Sequence, residues 1–262
     1  MNRPMEFASF NLSEPDGLVA TAVHDGHDLR PELAAVTALD DATRLREEDP
    51  HTGRLAAGFA NRVVVHRSRF EVDLNRERDA AVYRSPEDAW GLELWQRELT
   101  AEEVAESVAL YDRFYLDLAA SLDRLVADHG GFVLYDIHSY NHRRLGPDAA
   151  PDPDEESPLV NLGTGSLPEK WKPVADTLIE SLRSNTFDGA RLDARENVRF
   201  EGRQVARWIH ENYGDVGCAL AIEVKKVFMD EWTGALDAGR MSRLGDALIA
   251  SGPDVRKAWA SA

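Results

Sequence analysis

The sequence predicts an α/β fold whose mixed, largely parallel sheet is covered by helices. Apolar strand-like runs alternate with helical patterns along the chain, an order typical of parallel strands joined by helices. The run FVLYDIH at residues 132–138 is apolar on both faces apart from Asp136 and the closing His138, as expected of a buried strand. A length of 262 residues suffices for a substantial core. We therefore interpret residues 1–262 as a single domain.

The first part of the chain supplies two strands. The apolar stretch Leu18–Val23 predicts a strand that ends at His24. HTGRLAAGFAN, residues 51–61, predicts a short helix. RVVVHRSRFEVDLNR, residues 62–76, predicts a strand that continues into an extended, charged segment. Each strand thus leads into a polar segment.

A long amphipathic helix follows. Thr100 and Glu103 form a capping-box pattern at its start. Gly130 and Gly131 end it after about 28 residues. Between them, apolar residues recur at alternating spacings of four and three, at Val104, Val108, Tyr111, Tyr115, Leu118, Leu122 and Leu125. A single stripe of this kind more often packs on a sheet than forms a coiled coil, and we expect it to cover one face.

The second half again alternates loops, helices and strands. Residues 145–168 are rich in Pro, Asp, Glu and Gly, and we interpret them as a flexible acidic loop over a site rather than a linker between domains. Trp171–Arg183 predicts a helix, CALAIEV at residues 218–224 a buried strand, and the C-terminus a helical region.

Composition excludes several classes of partner. The formal net charge of −17 repels phosphate backbones and anionic membrane surfaces, so we expect neither a nucleic-acid nor a membrane partner. The single cysteine, Cys218, cannot form an internal disulfide. The N-terminal segment MNRPMEFASFNLSEPDG lacks the apolar core of a signal peptide, and no apolar run approaches the roughly 18 residues of a membrane span. We expect a cytoplasmic protein, with its oligomeric state open.

Three predicted strands end in, or carry, polar side chains suited to a metal site. His24 follows the first strand, His138 closes the strand at 132–138, and Glu223 interrupts CALAIEV. Ligands bind α/β sheets in crevices at the carboxyl ends of the strands, and a buried glutamate requires a metal, a cation or a proton. Each histidine alone is more often a satisfied core residue. Two of them with a carboxylate match the three N or O ligands of a hydrolytic zinc.

Two further stretches complete the candidate site. REEDPHT offers a carboxylate, as Asp49 or Glu48, with His51 as a spare ligand, although a solvated acidic loop explains it equally well.

In the second stretch, SRFEVDLNR, the side chains of Arg69, Asn75 and Arg76 could grip a carboxylate through charge-assisted hydrogen bonds. Asp73 could orient one of these arginines. Strand alternation alone would explain the charges here, but not an asparagine beside an arginine.

Taken together, the chain resembles the N-formylglutamate amidohydrolase family, relatives of the zinc carboxypeptidases and aspartoacylases. The resemblance rests on five pieces in order across most of the chain: HDGHDLRPEL, REEDPHT, SRFEVDLNR, DIHS and AIEVKKVFMDEW. It implies a single, zinc-carboxypeptidase-like α/β domain with one zinc per chain. The implied ligands are His24, His138 and a carboxylate, for which we choose Asp49. Asp136 would then orient a ligand.

The same resemblance implies the remaining roles. Glu223 matches the catalytic glutamate, and Arg69 matches the group that binds the scissile carbonyl. Asn75 and Arg76 match groups that bind the substrate carboxylate, and we add Arg203 and Arg143 as further candidates for that role.

The resemblance implies a zinc-dependent amidohydrolase that cleaves an N-acyl amino acid, such as an N-formyl one, or a similar small carboxylated amide. One alternative is a peptidase or peptide-tailoring deacylase with the same zinc machinery. Another is a non-catalytic module that binds a metal or a ligand. Retention of Glu223 favours an enzyme, because a binding site has no need of an acid–base group beside its ligands.

Overall fold

The computed structural model describes residues 6–12 and 16–262. Residues 1–5 and 13–15, part of the segment in which we expect no signal peptide, lie outside the described residues. The described strands are β1 (Ala8–Asn11), β2 (Leu18–Ala22), β3 (Asn61–Val65), β4 (Phe132–Tyr140), β5 (Val160–Gly163), β6 (Thr186–Phe187), β7 (Ala190–Arg191), β8 (Ala194–Glu196) and β9 (Gly217–Lys225). The described α-helices are α1 (Pro31–Ala34), α2 (Asp41–Glu47), α3 (Thr52–Ala56), α4 (Ala101–His129), α5 (Lys172–Arg183), α6 (Gln204–Tyr213) and α7 (Ala238–Trp259).

Seven of these strands form one mixed sheet in the order β1-β3-β2-β4-β9-β5-β8. The central strands β3, β2, β4 and β9 are mutually parallel. On the two flanks, β1 runs antiparallel to β3 and β5 antiparallel to β9. The strands β6 and β7 form a separate two-stranded ribbon. The prediction of a mixed, largely parallel sheet is confirmed.

Helices cover both faces of the sheet. Alternate residues of β4, including Val133, Tyr135 and Ile137, share a buried cluster with side chains of α3, α5 and α7. The intervening Phe132 and Leu134 share the opposite cluster with side chains of α4 and α6. Because successive side chains of a strand point to opposite faces, a strand covered on both sides must be apolar throughout. This explains the continuous apolar run that identified β4 in the sequence.

Helix α4 follows the predicted pattern and also holds the polar segment after β3. Thr100 and Glu103 form the capping box, and Gly130 ends the helix with a φ of 80°, in the left-handed region that glycine tolerates. On its buried face, the Tyr115 hydroxyl donates to the carbonyl of Leu74 at 2.7 Å. The helix therefore fixes the backbone of the DLNR segment against the sheet.

Two details differ from the sequence prediction. Val160–Gly163, inside the predicted acidic loop at 145–168, forms the buried strand β5 between β9 and β8. The acidic loop is therefore shorter than predicted, because the apolar run around Leu159 pairs with the sheet, and its flexibility stays a prediction. Within the described residues, no helix combines the length and the apolar character needed to cross a bilayer.

Candidate active site

The site lies in a cleft at the carboxyl ends of β2, β4 and β9. His24 follows β2 directly, His138 lies in β4, and Glu223 occupies the paired position on β9. The cleft is small, with about 90 Å³ of room. Its walls are formed by His24, Glu47, Asp49, Arg69, Asn75, Trp90, His138, Ser139, Tyr140, Asn141, Arg144, Phe200, Arg203, Glu223 and Lys226. The prediction that strand-end residues would meet at one edge of the sheet matches this geometry.

Three buried residues that could each supply a metal ligand, His24, Asp49 and His138, converge at the base of the cleft. Nδ1 of His24 lies 3.2 Å from Oδ2 of Asp49, and Nδ1 of His138 lies 3.1 Å from the same oxygen. One ligand atom from each residue lies within 4.8 Å of the other two. All three side chains are almost completely buried, so their donor atoms face each other rather than bulk solvent.

A second carboxylate holds each histidine from behind. Nε2 of His24 lies 2.7 Å from Oδ1 of Asp73, and Nε2 of His138 lies 3.1 Å from Oδ2 of Asp136. The hydroxyl of Thr21 donates to the other oxygen of Asp136 at 2.8 Å. Carboxylates in this position fix the ring orientation of metal-binding histidines, leaving Nδ1 of each ring toward the centre.

Charge in the cluster follows from these contacts. Burial alone would raise the pKa of Asp49, but hydrogen bonds from His138 and His24 outweigh it and hold that pKa well below its ordinary value. Burial likewise opposes ionisation of Asp73, and the charge of Arg69 is the largest effect that lowers the pKa of this carboxyl. Both carboxylates are therefore anionic, as a cationic ligand requires.

Glu223 differs from its neighbours because its carboxylate is not hydrogen-bonded or ion-paired to any residue that the structure describes. The residue nevertheless lines the cleft. Burial raises the pKa of Glu223 to about 8, an effect that the nearby charge of His138 opposes. A carboxyl group with a pKa near neutrality can both accept and return a proton.

The sequence-predicted residues Arg69, Asn75 and Arg203 also line the cleft. Nη2 of Arg69 donates to Oδ2 of Asp73 at 2.7 Å, so Asp73 does orient an arginine. The side-chain oxygen of Asn75 accepts from the backbone N–H of Val205 at 3.0 Å, which joins the DLNR segment to α6. The exposed guanidinium of Arg203 has no hydrogen-bonding or ionic partner among the residues that the structure describes.

Two predicted carboxylate-binding residues lie outside the cleft. The guanidinium of Arg76 stacks over the Tyr83 ring at 4.4 Å and donates to the carbonyl of Asp88 at 2.7 Å. Arg143 points the other way, toward Asp230, with its Nη2 2.7 Å from Oδ2 of that residue. Neither guanidinium lines the cleft, because each has a local partner, and the role of both in binding a substrate carboxylate stays a prediction. Arg144, the next residue, lines the cleft instead.

Glu48 and Asp49, the two acids of REED that the sequence offers as ligands, point in different directions. Glu48 points away from the cleft, where its carboxylate contacts Nδ1 of His27 at 2.5 Å and also the Ser68 hydroxyl. His51, the spare ligand, has a left-handed backbone with a φ of 71° and is absent from the donor cluster found among the described residues. Asp49 is the carboxylate that meets the two histidines.

Several cleft residues gave no sequence signal. Trp90 lies in a loop, where the guanidinium of Arg69 stacks over its ring at 5.0 Å. Lys226 is fully buried, and Phe200 belongs to the loop before α6. The lysine pair at the end of β9, Lys225 and Lys226, is a signal that could have identified Lys226, since a lysine at the end of a buried strand has to find acceptors.

The residues fit a zinc-type metal ion. Two imidazole nitrogens and one carboxylate, with a cleft on their open side, are the donor set of a hydrolytic zinc with one position left for water or substrate. The carboxylates behind both rings, from Asp73 and Asp136, add the outer shell that such histidines usually have. The donors are buried, so a bound metal would be shielded from solvent except at the cleft.

The chain is similar to several known proteins. A family model described as N-formylglutamate amidohydrolase matches residues 16–229. No curated protein matches the chain. Among solved structures, an N-formylglutamate amidohydrolase from Ralstonia eutropha JMP134 is similar with a TM-score of 0.76 and 17% identity, covering 98% of this chain and 100% of that one. The gene product Atu2144 from Agrobacterium tumefaciens is similar with a TM-score of 0.69 and 17% identity, covering 98% and 96%. At these identities, the two structures show the fold alone.

Proposed function

Since the chain belongs to the N-formylglutamate amidohydrolase family, and is therefore a hydrolase of amide bonds, we propose that it uses zinc to cleave a small N-acyl amino acid or a similar carboxylated amide. The observation that carries this proposal is the convergence of His24, Asp49 and His138 beside the carboxylate of Glu223, which makes no hydrogen bond or ion pair within the described part of the chain. A donor set and a free acid–base group in one cleft are the two parts that metal-assisted amide hydrolysis needs.

His24, Asp49 and His138 would hold the metal, which when bound polarises a carbonyl and lowers the pKa of water. Glu223 takes a proton from the attacking water and passes it to the leaving nitrogen. Its lack of a partner among the described residues supports this role, because a carboxylate tied in an ion pair would have to break that contact at each turnover.

Arg69 stabilises the negative charge that develops on the carbonyl oxygen. Its Nη2 and Nε contact Asp73 and Tyr83, while its Nη1 makes no hydrogen bond with the described residues and remains for the substrate. Burial alone would lower the pKa of Arg69, but the negative charge of Asp73 keeps this pKa well above its ordinary value. The group is thus a fixed cation at the cleft wall.

Arg203 binds the substrate carboxylate. It is supported by its position on the cleft wall and by its unpaired guanidinium within the described chain. A net charge of −17 repels a free carboxylate unless a local cation offsets it.

Metal analysis combined with a substrate comparison tests the proposal. We expect about one zinc per purified chain, removed together with activity by a chelator and restored with it. N-formyl and N-acetyl amino acids should be hydrolysed faster than peptides of four or more residues. Zinc binding without hydrolysis of any of these would favour the non-catalytic module, and faster peptide cleavage would favour the peptidase.

A further inference from the structure

Lys226 is an unusual charge to find in the interior of this protein. Its side chain is only 1% exposed, and it lies in the turn that follows β9. Burial lowers the pKa of the Lys226 ammonium, and the charge of Asp49 is the largest effect that opposes this. Because an ammonium is costly to bury, its partners indicate what it does.

Three oxygens surround the ammonium. Nζ donates to the backbone carbonyl of Arg46 at 2.6 Å, to that of Glu48 at 2.6 Å and to the side-chain oxygen of Asn141 at 2.9 Å. The side-chain amide of Asn141 also donates to the carbonyl of Arg46, at 2.9 Å. Lys226 and Asn141 thus hold the end of α2 together.

The carbonyl of Glu48 belongs to the peptide group that leads into Asp49. The N–H of that same peptide group donates to the carbonyl of His24 at 3.0 Å. Lys226 on one side and His24 on the other therefore fix the peptide plane from which the Asp49 side chain projects. No rotation of this plane is possible without breaking one of the two contacts.

The same ammonium joins the segments that carry the site. Lys226 follows Glu223 by three residues, and Asn141 follows His138 by three residues. We propose that Lys226 is a positioning residue that holds the Asp49 turn in register with the ends of β4 and β9, and so sets the affinity for the metal. This inference rests on the proposed metal site.

An ordinary structural role must be distinguished from this one, since Lys226 also caps the last carbonyls of α2. Lys226→Met keeps the stem and removes the charge and the donors. Lys225→Met is the matched control, because Lys225 is also buried at the end of β9 but its ammonium contacts Asp154, 3.2 Å away, outside the site. Zn²⁺ affinity is measured by competition with a chelating indicator, at a temperature at which each variant is folded.

We expect Lys226→Met to bind Zn²⁺ about 10-fold or more weakly, the usual loss when a residue behind a ligand is removed, and Lys225→Met to bind as the wild type does. If Lys226→Met does not fold, Asn141→Ala, which removes one hydrogen-bond acceptor of the Lys226 ammonium, should still bind Zn²⁺ more weakly than Lys225→Met. Wild-type affinity in the folded variant, even with a lower Tm, overturns the inference alone. A wild-type chain that binds no Zn²⁺ overturns the proposed function and the inference with it.

Discussion

His138 and Glu223 are direct partners in the parallel pairing of β4 and β9, so their side chains leave the sheet on the same face. A metal-ligand candidate and an acid–base candidate are thereby held side by side by backbone hydrogen bonds rather than by a loop. Because both residues belong to nine-residue strands, their relative position is as rigid as the centre of the sheet. Substitutions at these two positions should therefore have separable effects.

His138→Ala should lower zinc occupancy well below that of the wild type. The change removes one of three converging donors, which leaves an incomplete site. Metal content per chain is measured after purification and dialysis. His129→Ala, at the end of α4 and outside the donor cluster, is the control, and equal metal content in the two variants would remove His138 from the ligand set.

Glu223→Gln should keep the metal while kcat falls by about 10²–10⁴-fold. Gln has the shape of Glu but cannot take the proton of water. Steady-state kinetics and metal content are measured on the same preparation. Loss of zinc from this variant, with zinc retained in Asp49→Asn, would exchange the assigned roles of the two acids.

Asp136→Asn should weaken zinc binding by about 10- to 100-fold without loss of the fold. The carboxylate of Asp136 lies behind His138, and an uncharged amide there supports the imidazole less well. Zinc competition with an indicator gives the affinity, and circular dichroism reports the fold. An unchanged affinity would mean that Asp136 only fills space beneath the ring.

Glu223→Gln should stabilise the metal-free protein at pH 8 and have little effect at pH 4.5. Unfolded Glu223 ionises near 4.5, whereas burial raises the pKa of the folded group to about 8. Between these values the folded chain binds the extra proton, so wild-type stability falls as pH rises. We expect a gain of roughly 1 kcal/mol or more at pH 8 in urea unfolding with chelator present. A gain of the same size at both pH values would contradict this account.

Arg203→Ala should lower kcat/KM on a carboxylated substrate. The expected loss of transition-state stabilisation is about 1.5–3 kcal/mol, the scale of a hydrogen bond to a charged group. For the same substrate with its carboxylate amidated, kcat/KM should be nearly the same in the variant and in the wild type. Arg143→Ala is the control, because Arg143 pairs with Asp230 outside the cleft. Equal losses of kcat/KM on the acid and the amide would mean that Arg203 stabilises the start of α6 and does not bind the substrate carboxylate.

The sequence predicts which cleft residues lie in or directly after strands. It does not predict which residue of a turn faces the cleft. His24, His138 and Glu223 were found because an apolar run that ends in a polar residue also fixes where that residue lies. Glu48 and Asp49 are adjacent, and only the turn at the end of α2 decides which one faces the histidines. The same holds for Arg143 and Arg144, where the pairing of Arg143 with Asp230 turns it outward.

Sequence patterns do not predict the position of a side chain when its partners are distant in the sequence. Arg76 follows Asn75 in the motif, but its stacking on Tyr83 depends on how the loop after β3 folds back. Lys226 resembles a solvated residue in the sequence, and its burial depends on carbonyls about 180 residues earlier. Strand β5 was hidden because its four residues follow a long acidic stretch.

The spacing of the donors along the chain sets an order of events during synthesis. Asp49 is 25 residues from His24 and 89 residues from His138. These three residues meet only when β2 pairs with β4, and β4 must first be connected through the whole of α4. A nascent chain that has exposed His24 and Asp49 thus has no assembled donor set, and it gains one only after β4 has joined the sheet. If the proposed metal site holds an ion, its capture would be a late step of maturation, and a chain with a bound ion would be one whose central strands have already paired.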